Sequence, residues 1–305
     1  MPALREIPFL DNFQMKSSLQ DILRNDSKQL EAALDIDPGS ARIEVQCLLQ
    51  AVLQVNRAWL LAHPEHSLDA DRHARYMALF ERRLAGEPIA YLLGEREFYG
   101  LTFKVLPATL IPRPETELLV DLALQRIPQH GMCRVLDLGT GSGAIALSIA
   151  HARPDAEVVA VDASPAALEV AQLNAQRLNL GNVRLLRSDW FSALRGERFD
   201  MIVSNPPYIA AGDVHLAQGD VRFEPRAALV SGTDGLDDIR HICAQAKAHL
   251  RPKGWLIFEH GYDQAARVRA LLQQSGLEEI FSARDLSGIE RVSGGACLTE
   301  IFSAV

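Results

Sequence analysis

Five short apolar runs recur along the second half of the chain: Arg134–Leu138, Glu157–Val161, Val183–Leu186, Phe199–Val203 and Trp255–Glu259. Helical patterns near 143–152, 165–179, 235–250 and 263–275 separate them. Short runs that are apolar almost throughout read as strands buried on both faces. Strands alternating with helices give an α/β fold, a parallel sheet covered on both sides. The end changes character, because 278–284 and 297–303 are strand-like runs with no helix between them. They predict an antiparallel hairpin at one edge of the sheet.

The first hundred residues follow a different rule. Residues 1–15 read as an irregular leader, and three helical patterns come next. Ser17 and Ser18 are candidate caps of the first, with Leu19, Ile22 and Leu23 on one side. Ser40 is the candidate cap of the second; Leu48, Val52, Val55 and Trp59 share a face, and Pro64 lies past its end. The third runs from about Ser67 to Ala85, with Tyr76, Leu79, Phe80 and Leu84 as its stripe, and Gly86-Glu87-Pro88 stops it. Residues 95–110 alternate like a hairpin turning near Gly100. Ile111–Glu117 then opens a helix: Pro114 suits a first turn, and Glu115 and Glu117 suit the positive end of the helix dipole. The expected organisation is leader 1–15, helical domain 16–94, hairpin linker 95–110 and α/β domain 111–305.

Composition narrows the function classes. The 305 residues are 48% hydrophobic and 23% charged, as in ordinary globular proteins. A net charge of −8 with no basic stripe argues against a duplex-binding surface. Cys47, Cys133, Cys243 and Cys297 are scattered, with no CxxC pair or Cys/His cluster. They read as free thiols in a reducing compartment, with no metal site. The N-terminal stretch carries acids and no apolar segment, and the longest apolar run, Ala144 to Ala150, is too short to span a bilayer. A cytoplasmic protein without membrane contact is expected.

Val135-Leu136-Asp137-Leu138-Gly139-Thr140-Gly141-Ser142-Gly143 is a strand running through a glycine turn into a helix. Glycines there let the backbone approach a ligand at the carboxyl end of a strand. Asp162 ends the next strand, 19 residues after Gly143, where a carboxylate can accept both hydroxyls of a ribose. Gly141–Ala146 also fits the dinucleotide fingerprint, which on its own is weak. Asp137, two residues before the first glycine, favours S-adenosylmethionine, whose methionine end is cationic, over a nicotinamide cofactor. After the third run, Asp189 can accept from an adenine amino group and Trp190 can stack on the ring.

Asn205-Pro206-Pro207-Tyr208 follows the fourth run and suits chemistry at a planar, conjugated NH2 nitrogen. Such a nitrogen is a poor nucleophile because its lone pair is delocalised, as the ~18–20 kcal/mol barrier to peptide C–N rotation shows. Accepting hydrogen bonds from both N–H groups frees the lone pair. Asn205 offers a side-chain oxygen, Pro206 a carbonyl on a backbone of nearly fixed φ, and Tyr208 a face for stacking. His151 and His241 lie on helical patterns and read as surface groups. His260 is a candidate pocket residue, Glu224-Pro225 a candidate for the substrate mouth, and Arg113 a candidate for the domain junction or substrate backbone.

The chain resembles the bacterial peptide chain release factor N5-glutamine methyltransferases. The resemblance rests on Gly86–Tyr91, Phe98-Tyr99-Gly100, Leu110–Glu117, Asp137–Gly143, Ser188-Asp189-Trp190, Ser204–Tyr208 and Arg222-Phe223-Glu224-Pro225, and covers about residues 17 to 305. It implies a helical N-terminal domain that recognises substrate and a seven-stranded, mostly parallel, Rossmann-like methyltransferase domain. It implies that Gly139, Thr140, Gly141, Ser142, Gly143, Asp162, Trp190 and Asn205 contact S-adenosylmethionine. Asn205, Pro206, Pro207 and Tyr208 would grip the glutamine of a Gly-Gly-Gln loop in class 1 release factors, with the enzyme a monomer. Close relatives of that family methylate a glutamine of a ribosomal protein; Arg113–Glu117 favours the release-factor branch. The rival activities are amino methylation of a nucleic-acid base, non-catalytic cofactor sensing and nicotinamide-dependent oxidoreduction.

Overall fold

The computed structural model describes residues 17–298, and the chain divides into two compact units between Leu93 and Gly94. The leader assigned to 1–15 lies outside the described residues. In the first unit, Ser18 caps α1 (Leu19–Leu34), its hydroxyl accepting the Asp21 N–H at 3.2 Å. The cap of α2 (Pro38–Leu53) is Asp37, not Ser40: its carboxylate accepts the Ser40 N–H at 3.0 Å, and Pro38 occupies the first turn. The face read as running on to Trp59 is interrupted. Gln54 turns left-handed at φ 57°, and Asn56 caps a separate short helix, α3 (Arg57–Ala62). Asp69 caps α4 (Ala70–Leu84), and α5 (Ile89–Leu93) follows the Gly86-Glu87-Pro88 break. Leu19, Leu30, Val45, Leu48, Leu49, Tyr76 and Phe80 form the core of this unit.

The second unit opens with a hairpin, β1 (Glu95–Phe98) and β2 (Leu101–Lys104). Tyr99 and Gly100 both have positive φ, 53° and 73°, as a two-residue hairpin turn requires. Pairing stops at Lys104, so the alternation read to 110 overran the strand. A 3-10 turn at Pro114–Thr116 leads into α6 (Glu117–Arg126). Then come β3 (Cys133–Leu138), α7 (Ala144–Ala152), β4 (Ala156–Asp162), α8 (Pro165–Arg177), β5 (Val183–Arg187) and β6 (Phe199–Ser204). The chain continues through α9 (Asp237–His249), β7 (Leu250–Glu259), α10 (Ala265–Gln274), β8 (Glu278–Arg284) and β9 (Glu290–Cys297).

Seven strands form one sheet in the order β5-β4-β3-β6-β7-β9-β8. The first five are parallel; β9 pairs antiparallel with both β7 and β8. Alternate residues feed two cores. Val135, Val158, Ala160, Met201, Val203 and Ile257 pack on one face, and Leu136, Leu138, Val159, Val161, Ile202, Leu256 and Phe258 on the other. The strand beside β8 runs over Glu290–Cys297, between β7 and β8, a run the sequence reading did not assign; of the expected strand at 297–303, residues 299–303 lie outside the described residues. Ser293-Gly294-Gly295 looks like a loop in sequence, yet it is the middle of a strand, and at Gly294 the neighbours leave no room for a side chain. A Cβ on Gly294 would lie 2.6 Å from the Leu256 carbonyl oxygen.

Strand order reverses between β3 and β6, and the crevice above their carboxyl ends is where open α/β sheets bind ligands. Leu138 and Ser204 are register partners there, and the Ser204 hydroxyl donates to the Leu138 carbonyl at 2.8 Å. Replacing Gly294 with alanine is expected to destabilise the protein by about 1–3 kcal/mol, read as a lower urea midpoint; an unchanged midpoint would show that the β7–β9 contact has slack.

Candidate active site

The loop leaving β3 is built from positive-φ glycines, Gly139 at 71°, Gly141 at 58° and Gly143 at 86°. Three side chains hold it. Asp162, at the end of β4, accepts the Gly141 N–H at 2.9 Å with one oxygen and the Ser164 N–H at 2.8 Å with the other. Asn174 of α8 donates to the Ser142 carbonyl at 2.8 Å. Asp137 accepts from the Thr140 hydroxyl at 2.6 Å and the Ala146 N–H at 3.2 Å, both through Oδ2, while its Oδ1 has no partner among the described residues. Burial pushes the Asp137 carboxyl up to about 7, although both hydrogen bonds oppose the shift.

After β5 the chain turns sharply at Trp190, which takes a left-handed φ of 46°. Such a conformation is costly for an aromatic residue and needs outside support. Ser188 provides it, donating to the Trp190 carbonyl at 2.7 Å and accepting the Ala193 N–H at 3.0 Å. The indole lies beside Gly139, close enough that a Cβ there would sit 3.6 Å from the ring. The glycine loop, Asp162, Ser164, Asp189, Trp190, Asn205 and Pro207 line a cavity of about 540 Å³.

Asn205 leaves β6 at the cavity wall. Its Nδ2 donates to Thr116 Oγ1 at 3.2 Å, and its buried Oδ1 has no partner among the described residues. Thr116 donates to Glu259 Oε2 at 2.6 Å, and Tyr208 donates to Glu259 Oε1 at 3.0 Å. Gln264 donates to the Tyr208 carbonyl at 2.9 Å and fixes the turn from behind. Burial raises the Glu259 carboxyl; the hydroxyls of Thr116 and Tyr208 and the charge of Arg291 oppose that, and Glu115 adds to it. Burial, then the Glu259 charge, pushes the Tyr208 hydroxyl well above its ordinary value, so it stays protonated. Arg113 and Pro225 line the cavity; Glu224, read as a candidate for the substrate mouth, does not, and its wholly buried side chain accepts from Arg113 at 2.6 Å.

The cavity gathers Gly139, Thr140, Gly141, Ser142, Asp162, Asp189, Trp190, Asn205 and Pro207 from the expected site. Asp137, expected to meet a cationic group, does not reach the wall: it is fully buried, spent on the loop and the first turn of α7. Gly143, Pro206 and Tyr208 are not among the lining residues; a Cβ on Gly143 would lie 2.9 Å from Leu147, and Tyr208 is half-buried. His260 is not a lining residue. It is fully buried, bonded to the Gly261 carbonyl and, at 2.8 Å, to the Ser293 hydroxyl. His151 and His241 are exposed, as expected. Thr116, Glu259, Asn174 and Gln264 were missed. Glu259 carried a readable signal, a carboxylate ending a buried strand as Asp162 does; Thr116 stood within the Leu110–Glu117 motif, and Asn174 and Gln264 carried none.

S-adenosylmethionine fits these residues. It needs a backbone it can approach closely, an acceptor for a ribose, a flat wall for adenine and a cavity of its size, and the glycine loop, Asp162 and Trp190 meet those needs together. The Methyltransferase small domain family matches residues 116–224, and the PrmC N-terminal domain family matches 21–94. A methyltransferase structure from Pyrococcus furiosus shares the fold at a TM-score of 0.50 and 19% identity, covering 75% of this chain and 98% of that one. Fold and site define a methyltransferase. Release factor glutamine methyltransferase of Bordetella pertussis is 55% identical over 260 residues, spanning 85% of this chain and 96% of that protein. The protein of that name from Escherichia coli K12 is 48% identical over 276 residues, or 90% and 98% of the two chains. The chain belongs to the release factor glutamine methyltransferase family.

The Asp137 shift has a measurable sign. An acid raised from 3.8 to about 7 on folding keeps its proton in the native state while the unfolded chain has lost it. Its contribution to stability therefore falls as pH rises across that window and levels off above it. Asp137→Asn, which can keep both acceptor contacts through its carbonyl, is expected to gain melting temperature relative to the parent between about pH 5 and about pH 8. A difference in melting temperature independent of pH would remove Asp137 from this linkage.

Proposed function

We propose that the protein methylates the side-chain amide nitrogen (N5) of the glutamine in the Gly-Gly-Gln loop of class 1 peptide chain release factors, using S-adenosylmethionine. The single observation that carries this reading is Asn205 Oδ1: a buried acceptor on the cavity wall, without a partner among the described residues. An unmet buried acceptor is expensive unless a donor arrives, and the N–H of a carboxamide is such a donor. The family membership supports the acceptor being a release factor.

Bound S-adenosylmethionine supplies a methyl group made electrophilic by its sulfonium. The chain's residues divide the remaining work. Gly139–Ser142, Asp162, Asp189 and Trp190 hold the cofactor against the carboxyl ends of β3, β4 and β5. Asn205 Oδ1 and the Pro206 carbonyl accept the two N–H groups of the glutamine, which directs the nitrogen lone pair away from both and toward the methyl. Pro206 keeps its carbonyl in place by its fixed φ. Tyr208 packs the glutamine side chain, its ring anchored through the hydroxyl to Glu259. Alignment of this kind can supply several kcal/mol. No base is required to activate the nitrogen; the methylated amide is a strong acid and sheds its extra proton to water. The helical unit, with a core of its own, is assigned to recognition of the release factor.

Mass spectrometry of a release factor incubated with enzyme and cofactor is expected to show one added methyl on the Gly-Gly-Gln glutamine. Transfer to nucleic acid alone would overturn the reading. Asn205→Ala is expected to lower kcat by about 10²–10³ with cofactor affinity intact; near-parental turnover would take Asn205 out of the chemistry.

A further inference from the structure

We infer that Thr116 and Glu259 are positioning residues that decide which end of the Asn205 amide faces the substrate. The inference rests on the proposed role of Asn205 as an acceptor for the glutamine N–H. The two ends of a carboxamide have nearly the same shape but opposite polarity. Only the oxygen end works here; the NH2 end would set donor against donor. Nothing within Asn205 makes that choice.

Its neighbours make it by counting protons. The two oxygens of Glu259 each receive a hydroxyl, Thr116 on Oε2 at 2.6 Å and Tyr208 on Oε1 at 3.0 Å. That is the pattern of a carboxylate, which only accepts. Thr116 owns one hydroxyl proton and has given it to Glu259. Its oxygen has only lone pairs left, so its other neighbour must donate, and Asn205 Nδ2 lies there at 3.2 Å. A reversed amide would put oxygen against oxygen with no proton between them. The correct orientation leaves Oδ1 without a partner among the described residues, ready for a donor. The chain joins three separate regions: the 3-10 turn at Pro114–Thr116, the end of β6 and the end of β7. Thr116 itself lines the cavity, so the polarity is set at the wall.

The test compares Thr116→Val, which keeps the shape and removes the hydroxyl, with Thr116→Ser, which keeps the hydroxyl. Each is assayed for glutamine methylation of a purified release factor, for cofactor Kd and for the Asn205 side-chain N–H resonances in 15N-labelled protein. Thr116→Val is expected to lose about 10- to 100-fold in kcat, with cofactor Kd and the KM for release factor near the parental values and the Asn205 resonances shifted. Thr116→Ser is expected to restore most of the rate and the parental resonances. Parental kcat in Thr116→Val, or equal losses in both variants, would overturn the inference. If the parent methylates no release factor, the functional reading fails instead. The resonances then decide this inference alone: coincident signals in parent and both variants sink it, and a shift confined to Thr116→Val upholds it.

Discussion

Leu138 and Ser204 run side by side as the last paired residues of two neighbouring parallel strands, tied by the Ser204 hydroxyl to the Leu138 carbonyl. The two loops at the centre of the site depart from that pair. From Leu138 the chain enters the glycine loop, and from Ser204 it enters Asn205-Pro206-Pro207-Tyr208. One loop suits a donor molecule and the other an acceptor amide. Because their strands share hydrogen bonds, the distance between the loops is fixed by backbone geometry rather than by flexible side chains. Transfer chemistry needs such a fixed separation, since small misplacements of reacting atoms are costly.

Three carboxylates lie at or next to the ends of three strands, and each is used to shape backbone or hydroxyl groups. Asp137 holds Thr140 and Ala146, Asp162 holds Gly141 and Ser164, and Glu259 holds Thr116 and Tyr208. Burial alone would favour neutral acids at Asp137 and Glu259, where it is the leading cause of a raised pKa. Donors aimed at the oxygens oppose that shift without reversing it. Side-chain networks of this kind are rigid when fully satisfied; among the described residues Asp137 Oδ1 and Asn205 Oδ1 are left without a partner, and of these two residues Asn205 is at the cavity wall.

Much of this was legible in the residues because local rules governed it. The apolar runs of β3 to β7 and the helices between them follow from burial on both faces. The glycine loop and Asn205–Tyr208 follow from chemistry placed at strand ends. The misreadings came where tertiary packing overruled local pattern. Gly294 and Gly295 resemble a loop but are strand residues crowded by β7 and β8. Asp37 outcompetes Ser40 as a cap because Pro38 already begins the helix. Thr116 meets Asn205 across 89 residues of sequence, and no local signal reports a contact of that span. Asp137 was read as meeting a cationic group, but it is buried away from the cavity lining because its carboxylate holds Thr140 and the first turn of α7.

The vacant lone pair on Asn205 also confers chemical discrimination. A deamidated acceptor would bring a glutamate carboxylate up to the Asn205 oxygen in place of an N–H. Repulsion between the two acceptors would disfavour the damaged polypeptide. Under the proposed function, the oxygen that would accept from an intact carboxamide would thus also disfavour its deamidated form.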